Sequence, residues 1–118
     1  MRLLSLLTGS TLAIATMAQA AGEGRIIDIS GSGAVPQAMA VYSAVDAASD
    51  AAAACRKTTS KTALECECSA RSEFARLRSA YDSAVADHPD WAKPDTTVWW
   101  SGKAVNFSAI KRALATCP

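Results

Sequence analysis

The stretch Thr62-Ala63-Leu64-Glu65-Cys66-Glu67-Cys68 decides how this chain is read. Thr62 and Glu65 have the spacing of a capping box, in which the Thr hydroxyl and the Glu carboxylate each take a backbone N–H at a helix start. The spacing therefore predicts a helix that begins at Ala63. Two residues apart on an α-helix means a rotation of about 200°, so Cys66 and Cys68 point to opposite sides. A C-x-C pair chelates a thiophilic metal or cycles as a redox couple when its sulfurs share a face, as they would on a strand or loop. On a helix they seek separate partners. Glu65 and Glu67 then need no chemical role, because carboxylates in a first turn complement the helix dipole.

Upstream, Ala38, Val41, Val45, Ala48, Ala52 and Cys55 recur at spacings of three and four, after a Pro36 suited to a first helical turn. Ser43, Asp46, Ser49 and Asp50 occupy the other side, and Arg56 and Lys57 complement the C-terminal end of the dipole. This predicts a helix over Pro36–Lys57. Thr58-Thr59-Ser60-Lys61 interrupts it. Downstream of the capping box the stripe is Ala63, Cys66, Ala70, Phe74, Leu77, Tyr81 and Ala84, and Pro89 ends the second helix near Asp87. A loop of four or five residues makes the two helices antiparallel neighbours.

The same angles propose how the cysteines pair. Cys55 lies near the end of the first stripe and Cys66 near the start of the second, so they face each other across the loop. Cys68 points away and meets the C-terminal segment through Cys117. The expected bridges are Cys55–Cys66 and Cys68–Cys117. The rival set, Cys55–Cys68 with Cys66–Cys117, differs by less than one helical turn. An even number of cysteines in a short exported chain reads as a disulfide framework. The need is clear from composition: 26 of the 118 residues are Ala and only seven are aromatic, so the core holds few large side chains and gains from added constraint.

Beyond Asp87 the texture changes. Pro89, Pro94, three Trp and Thr96-Thr97-Val98-Trp99-Trp100 precede a turn-prone Ser101-Gly102, which predicts a short extended segment. Ser108 is placed to cap a brief last helix through Ile110 and Leu114, ending near Cys117. On an extended segment Trp99 and Trp100 point to opposite sides, so one ring packs inward and the other stays accessible. Trp is enriched at interaction hot spots, which makes Trp99 and Trp100 the candidate binding residues. At the other end, Ile26-Ile27-Asp28-Ile29 is a short β-leaning run closed by Ser30-Gly31-Ser32-Gly33. Residues 21–35 are therefore read as a flexible or short-strand arm and 36–118 as one helical domain.

Residues 1–20 have the form of a secretory signal peptide: Arg2, an apolar stretch from Leu3 to Ala15, and Ala18-Gln19-Ala20 as a small-x-small cleavage site. The apolar run is interrupted by Ser5, Thr8, Gly9, Ser10 and Thr11 and is shorter than the roughly 20 residues of a membrane span. Cleavage after Ala20 leaves a mature chain of 98 residues starting at Ala21, with 11 basic and 11 acidic side chains. That balance provides no basic field for nucleic acid and no acidic solvating tail.

Catalytic chemistry finds little to work with. The single His, in Asp87-His88-Pro89-Asp90, sits where a helix ends and reads as a capping residue rather than a general base. Arg71, Arg76 and Arg78 read as a solvated helix face. Asn106-Phe107-Ser108 matches a glycosylation sequon, a frequent chance pattern. No nucleophile elbow, phosphate loop or zinc-type spacing is present, and no cofactor or metal is expected. The sequence thus predicts a mainly α protein, a disulfide-stapled antiparallel helical hairpin with a short Trp-rich extended segment and a brief C-terminal helix. It is expected in the periplasm or secreted, without a membrane span after cleavage and without nucleic acid. The expected role is a non-enzymatic binding or accessory module whose partner is another exported protein or an envelope component. The alternative is a thiol-based metal carrier or redox protein using Cys66 and Cys68.

Overall fold

The computed structural model describes residues 24–117; the expected signal peptide and its cleavage point lie outside them. The chain runs through strand β1 (Arg25–Asp28), helices α1 (Val35–Thr58), α2 (Ala63–Ser69) and α3 (Arg71–Asp87), a 3-10 turn (Pro89–Ala92), strands β2 (Thr96–Trp100) and β3 (Lys103–Asn106), and helix α4 (Phe107–Thr116). Mainly helical architecture with two disulfides is as expected. A three-stranded mixed sheet, ordered β1-β2-β3, is added to it.

α1 begins with Pro36 in its first turn and ends at Thr58, within a residue of the sequence-predicted span at each end. Its buried side is Ala38, Val41, Ala44, Ala48 and Ala52. These small side chains let α3 approach closely, and α3 answers with Leu77, Tyr81 and Ala84. At the open end of the hairpin, the Gln37 amide Nε2 donates to the Ser83 carbonyl at 3.1 Å and to Asp87 Oδ2 at 2.9 Å, fixing the antiparallel alignment.

The second helix is not continuous. Both halves of the capping box form: Glu65 N–H donates to Thr62 Oγ1 at 3.2 Å and Thr62 N–H to Glu65 Oε1 at 2.9 Å. The helix nevertheless stops at Ser69 and restarts at Arg71, with Ala70 at φ −78° and ψ 61°. The Ser69 hydroxyl donates to the Cys66 carbonyl at 3.0 Å, a side-chain bond that competes with the helical ladder at this point. The bridges hold α2 between two anchors, Cys66 bonded to Cys55 of α1 and Cys68 bonded to Cys117 past α4. The turn at Ala70 lets α3 take its own direction against α1.

The extended segment and the N-terminal run form one sheet. β1 pairs parallel with β2, Arg25 opposite Thr96 and Asp28 opposite Trp99. The connection between them carries all three helices of the hairpin, as a parallel pairing requires a long crossover. β2 and β3 form a hairpin closed by Ser101 and Gly102, whose φ values of 46° and 79° are both positive. That is the two-residue geometry matching strand twist, and Gly adopts it at no steric cost. The last helix is capped by Asn106, whose side-chain oxygen accepts from Ala109 N–H at 3.0 Å, not by Ser108. Using Asn106 lets the helix start at Phe107, which is fully buried.

The core lies between the helices and one face of the sheet. Ile29, Val98, Trp100 and Val105 pack with Val41, Leu77, Tyr81, Trp91, Phe107, Ile110 and Leu114 in one cluster. Its aromatic rings supply the volume that the alanines lack. Trp91 and Phe107 lie 5.2 Å apart between centroids, Tyr81 and Phe107 5.7 Å, and Trp100 meets Tyr42 edge-on at 6.0 Å. Such tilted and edge-on contacts add roughly 0.5–1.5 kcal/mol each beyond area burial.

Candidate functional site: the outer face of the sheet

β2 alternates along its length: Thr96, Val98 and Trp100 are buried, while Thr97 is half-buried and Trp99 exposed. The alternation follows from the strand's period of two, since helices and the 3-10 turn cover only one face. Thr96 accepts burial because its hydroxyl donates to the Lys93 carbonyl at 2.8 Å. The adjacent tryptophans are thereby divided. Trp100 is 3% exposed and belongs to the core, whereas Trp99 is 37% exposed on the uncovered face.

The register shows what surrounds Trp99. Across from it stand Asp28 on β1 and Ala104 on β3, and the next row is Ile26, Thr97 and Asn106. Ile27 and Ile29 of the N-terminal run turn inward to the core, which leaves Ile26 outward and 67% exposed. Two of the three large exposed apolar side chains among the described residues, Ile26 and Trp99, therefore share this face; the third, Leu64, lies on α2. Asp28 supplies the charge at its edge. The hydroxyl and then the backbone N–H of Ser30 hold the Asp28 carboxyl below its ordinary range, the N–H donating to Oδ1 at 2.9 Å. β1 itself is tied to β2 by Arg25 N–H to the Asp95 carbonyl at 2.8 Å and Ile29 N–H to the Trp99 carbonyl at 2.9 Å.

The cysteines named from sequence are brought together as Cys55–Cys66 and Cys68–Cys117. No cysteine is free among the described residues, and Cys66 and Cys68 are committed to different partners. His88 ends α3: its backbone N–H donates to the Ala84 carbonyl at 2.8 Å and its ring stacks on Trp91 at 4.1 Å. Of the three arginines, Arg78 does more than face solvent, donating from Nη2 to the Leu114 carbonyl at 3.0 Å and the Cys117 carbonyl at 3.4 Å. It caps the C-terminal end of α4.

The titratable groups that depart from ordinary behaviour are scattered. Hydrogen bonds from the Thr62 backbone and then its side chain hold the Glu65 carboxyl low, and burial, then the nearby Asp82 charge, pushes the Tyr81 phenol up. Each is explained by its own cap or burial, and Asp28, Glu65 and Tyr81 lie on three different elements. Among the described residues no three His, Cys, Asp or Glu side chains gather as metal ligands. A cavity of about 310 Å³ between α1, α3 and α4 has Val45, Ala48, Ala52, Phe74 and Ile110 in its walls, with Arg56 and Glu67 also lining it. Sequence reasoning named Trp99 but not its neighbours Ile26, Asp28 and Ala104. The alternation of Ile26-Ile27-Asp28-Ile29 carried the signal for β1, and only the partner strand was missing. Comparison with protein-family models, curated proteins and solved structures finds no match to this chain.

Proposed function

We propose that this chain is an exported, disulfide-stabilised binding or accessory module without enzymatic activity, and that the outer sheet face around Trp99 is its contact surface. The observation that carries the proposal is the division of the Trp pair, one ring anchoring the core and its neighbour exposed on the same face as Ile26. A Trp fixed on a strand loses little side-chain freedom on binding, which is why such rings recur at hot spots. Two disulfides fit an oxidising compartment, and no helix among the described residues is long and apolar enough to cross a membrane. The partner class is another exported protein or an envelope component.

The test is site-directed photocrosslinking in cells that export the chain. A photoreactive residue at position 26 captures one defined species, and the same residue at Ser79, on the exposed side of α3, does not. With that species in hand, Trp99→Ala weakens its binding by about 2 kcal/mol, roughly thirtyfold in Kd, as expected for a hot-spot ring. Crosslinks from position 79 and none from 26, or binding indifferent to Trp99→Ala, would refute the assignment of the surface.

A further inference from the structure

The two bridges differ in what surrounds their sulfurs. At Cys55–Cys66, Cys55 is half-buried but Cys66 is 0% exposed, and the polar groups near the sulfurs are the Thr59 and Ser69 hydroxyls, at 3.7 to 4.0 Å. A thiolate released on Cys66 would be desolvated, and burial raises a thiol's pKa and makes it a poorer leaving group. Cys68 and Cys117 are both half-buried. Together they line a surface cavity of about 410 Å³ whose other walls are Arg71, Phe74, Ala75 and Arg78, with no acidic residue in its lining. Arg78 is held at one end by the Leu114 and Cys117 carbonyls, and Arg71 opens α3 at the other. Two cations lining a cavity beside a reachable disulfide, Arg78 held by carbonyls and Arg71 exposed, lower the cost of a departing thiolate and attract an anionic attacker.

We infer that Cys68–Cys117 is a site of thiol–disulfide exchange with a small anionic thiol, a modification separate from the binding role of the sheet face. The incoming thiolate bonds to Sγ of Cys117 as the bridge breaks, and the electron pair of the broken bond leaves on Sγ of Cys68. One S–S bond replaces another, so no outside oxidant or reductant enters. The products are a mixed disulfide on Cys117 and a thiolate on Cys68 in the arginine-lined cavity. Arg78 keeps its grip on the α4 carbonyls, so the bridge opens while the helix end stays tethered.

The experiment treats the oxidised chain with glutathione, which carries a net negative charge, or with neutral 2-mercaptoethanol, then alkylates free thiols and maps peptides by mass. Each chain contains its own reference, because the Cys55–Cys66 bridge, which lies outside the arginine-lined cavity, reports the intrinsic reactivity of each thiol. Glutathione opens Cys68–Cys117 on the order of tenfold faster than Cys55–Cys66, reflecting leaving-group solvation and access. The rate ratio of glutathione to 2-mercaptoethanol is about threefold higher at Cys68–Cys117 than at Cys55–Cys66, and the difference collapses in roughly 1 M salt. Arg71→Gln removes most of that preference and Arg71→Lys retains it, while neither touches the α4 cap. Opening of Cys55–Cys66 first, equal ratios at the two bridges, or a preference unchanged by Arg71→Gln would overturn the inference.

Discussion

Replacing Trp99 and Trp100 by Ala, one at a time, compares the same side chain at adjacent positions on opposite faces of one strand. A Trp buries roughly 150–250 Å², which at about 25 cal/mol/Å² is about 4–6 kcal/mol of transfer free energy when burial is complete. Trp100 is 3% exposed and packs edge-on against Tyr42, so its removal forfeits most of that and leaves an enclosed void. The expected loss for Trp100→Ala is about 3–5 kcal/mol. Trp99 is 37% exposed, and the space it vacates opens to water and leaves no enclosed cavity, so about 1–2 kcal/mol is expected. Equilibrium urea unfolding with disulfides intact measures both. With a slope of about 2 kcal/mol/M for a chain of this size, the two midpoints should differ by roughly 1 M. Fluorescence quenching by acrylamide provides the companion reading, because Trp99→Ala leaves only the buried Trp91 and Trp100, whereas Trp100→Ala leaves the accessible Trp99 beside the buried Trp91. Equal losses, or the larger loss at Trp99, would show that the sheet face assignment is wrong.

Replacing both Cys68 and Cys117 by Ser should cost about 4 kcal/mol and replacing both Cys55 and Cys66 about 3, because the closed loops differ in length; thermal unfolding that reverses this order would contradict the loop-entropy account. Thr62→Ala should cost about 1 kcal/mol through loss of the capping box, seen as a lower Tm. Because the folded chain holds the Glu65 carboxyl below its ordinary value of 4.5, the unfolded state binds more protons just below that pH. The contribution of Glu65 is present above it and is lost as pH falls through the folded value. Glu65→Gln should therefore flatten the acid limb of the Tm profile, and an unchanged slope would remove the cap from the account. Mass analysis of the exported protein should find Ala21 as the first residue, and an intact Met1 would disprove cleavage after Ala20.

The features legible in the sequence were those encoded locally. Pro36 and the three-and-four spacing placed α1, Thr62 and Glu65 placed the start of α2, and the 200° between Cys66 and Cys68 separated the two bridges. The features that were not legible depend on distant or competing interactions. The stop at Ala70 arises because the Ser69 hydroxyl takes a helical carbonyl while disulfides anchor α2 on two sides, and an apolar stripe crosses that point unbroken. The sheet was missed because β1 finds its partner near the other end of the chain, and four residues carry no record of a strand they will meet after three helices. Ser101-Gly102 was recognised as a turn, yet Lys103-Ala104-Val105-Asn106 is too short and too polar to announce β3. For the candidate surface, the strand alternation required the Trp rings to part, and the core packed over the Val98 and Trp100 face of β2 decided which went inward.

The parallel pairing of β1 with β2 has a consequence for the order in which the molecule comes into being. A chain delivered from its N-terminus presents Arg25 early and Thr96 late, and Trp91, Trp100 and Phe107 arrive with the latter. Until then α1 and α2 can coil and Cys55 can find Cys66, but the sheet has no centre and Trp91, Trp100 and Phe107 are absent from the core. Closing so long a loop costs entropy before any contact compensates for it, which makes such pairings slow. The fold therefore locks in a late step, when the C-terminal hairpin captures the waiting N-terminal strand.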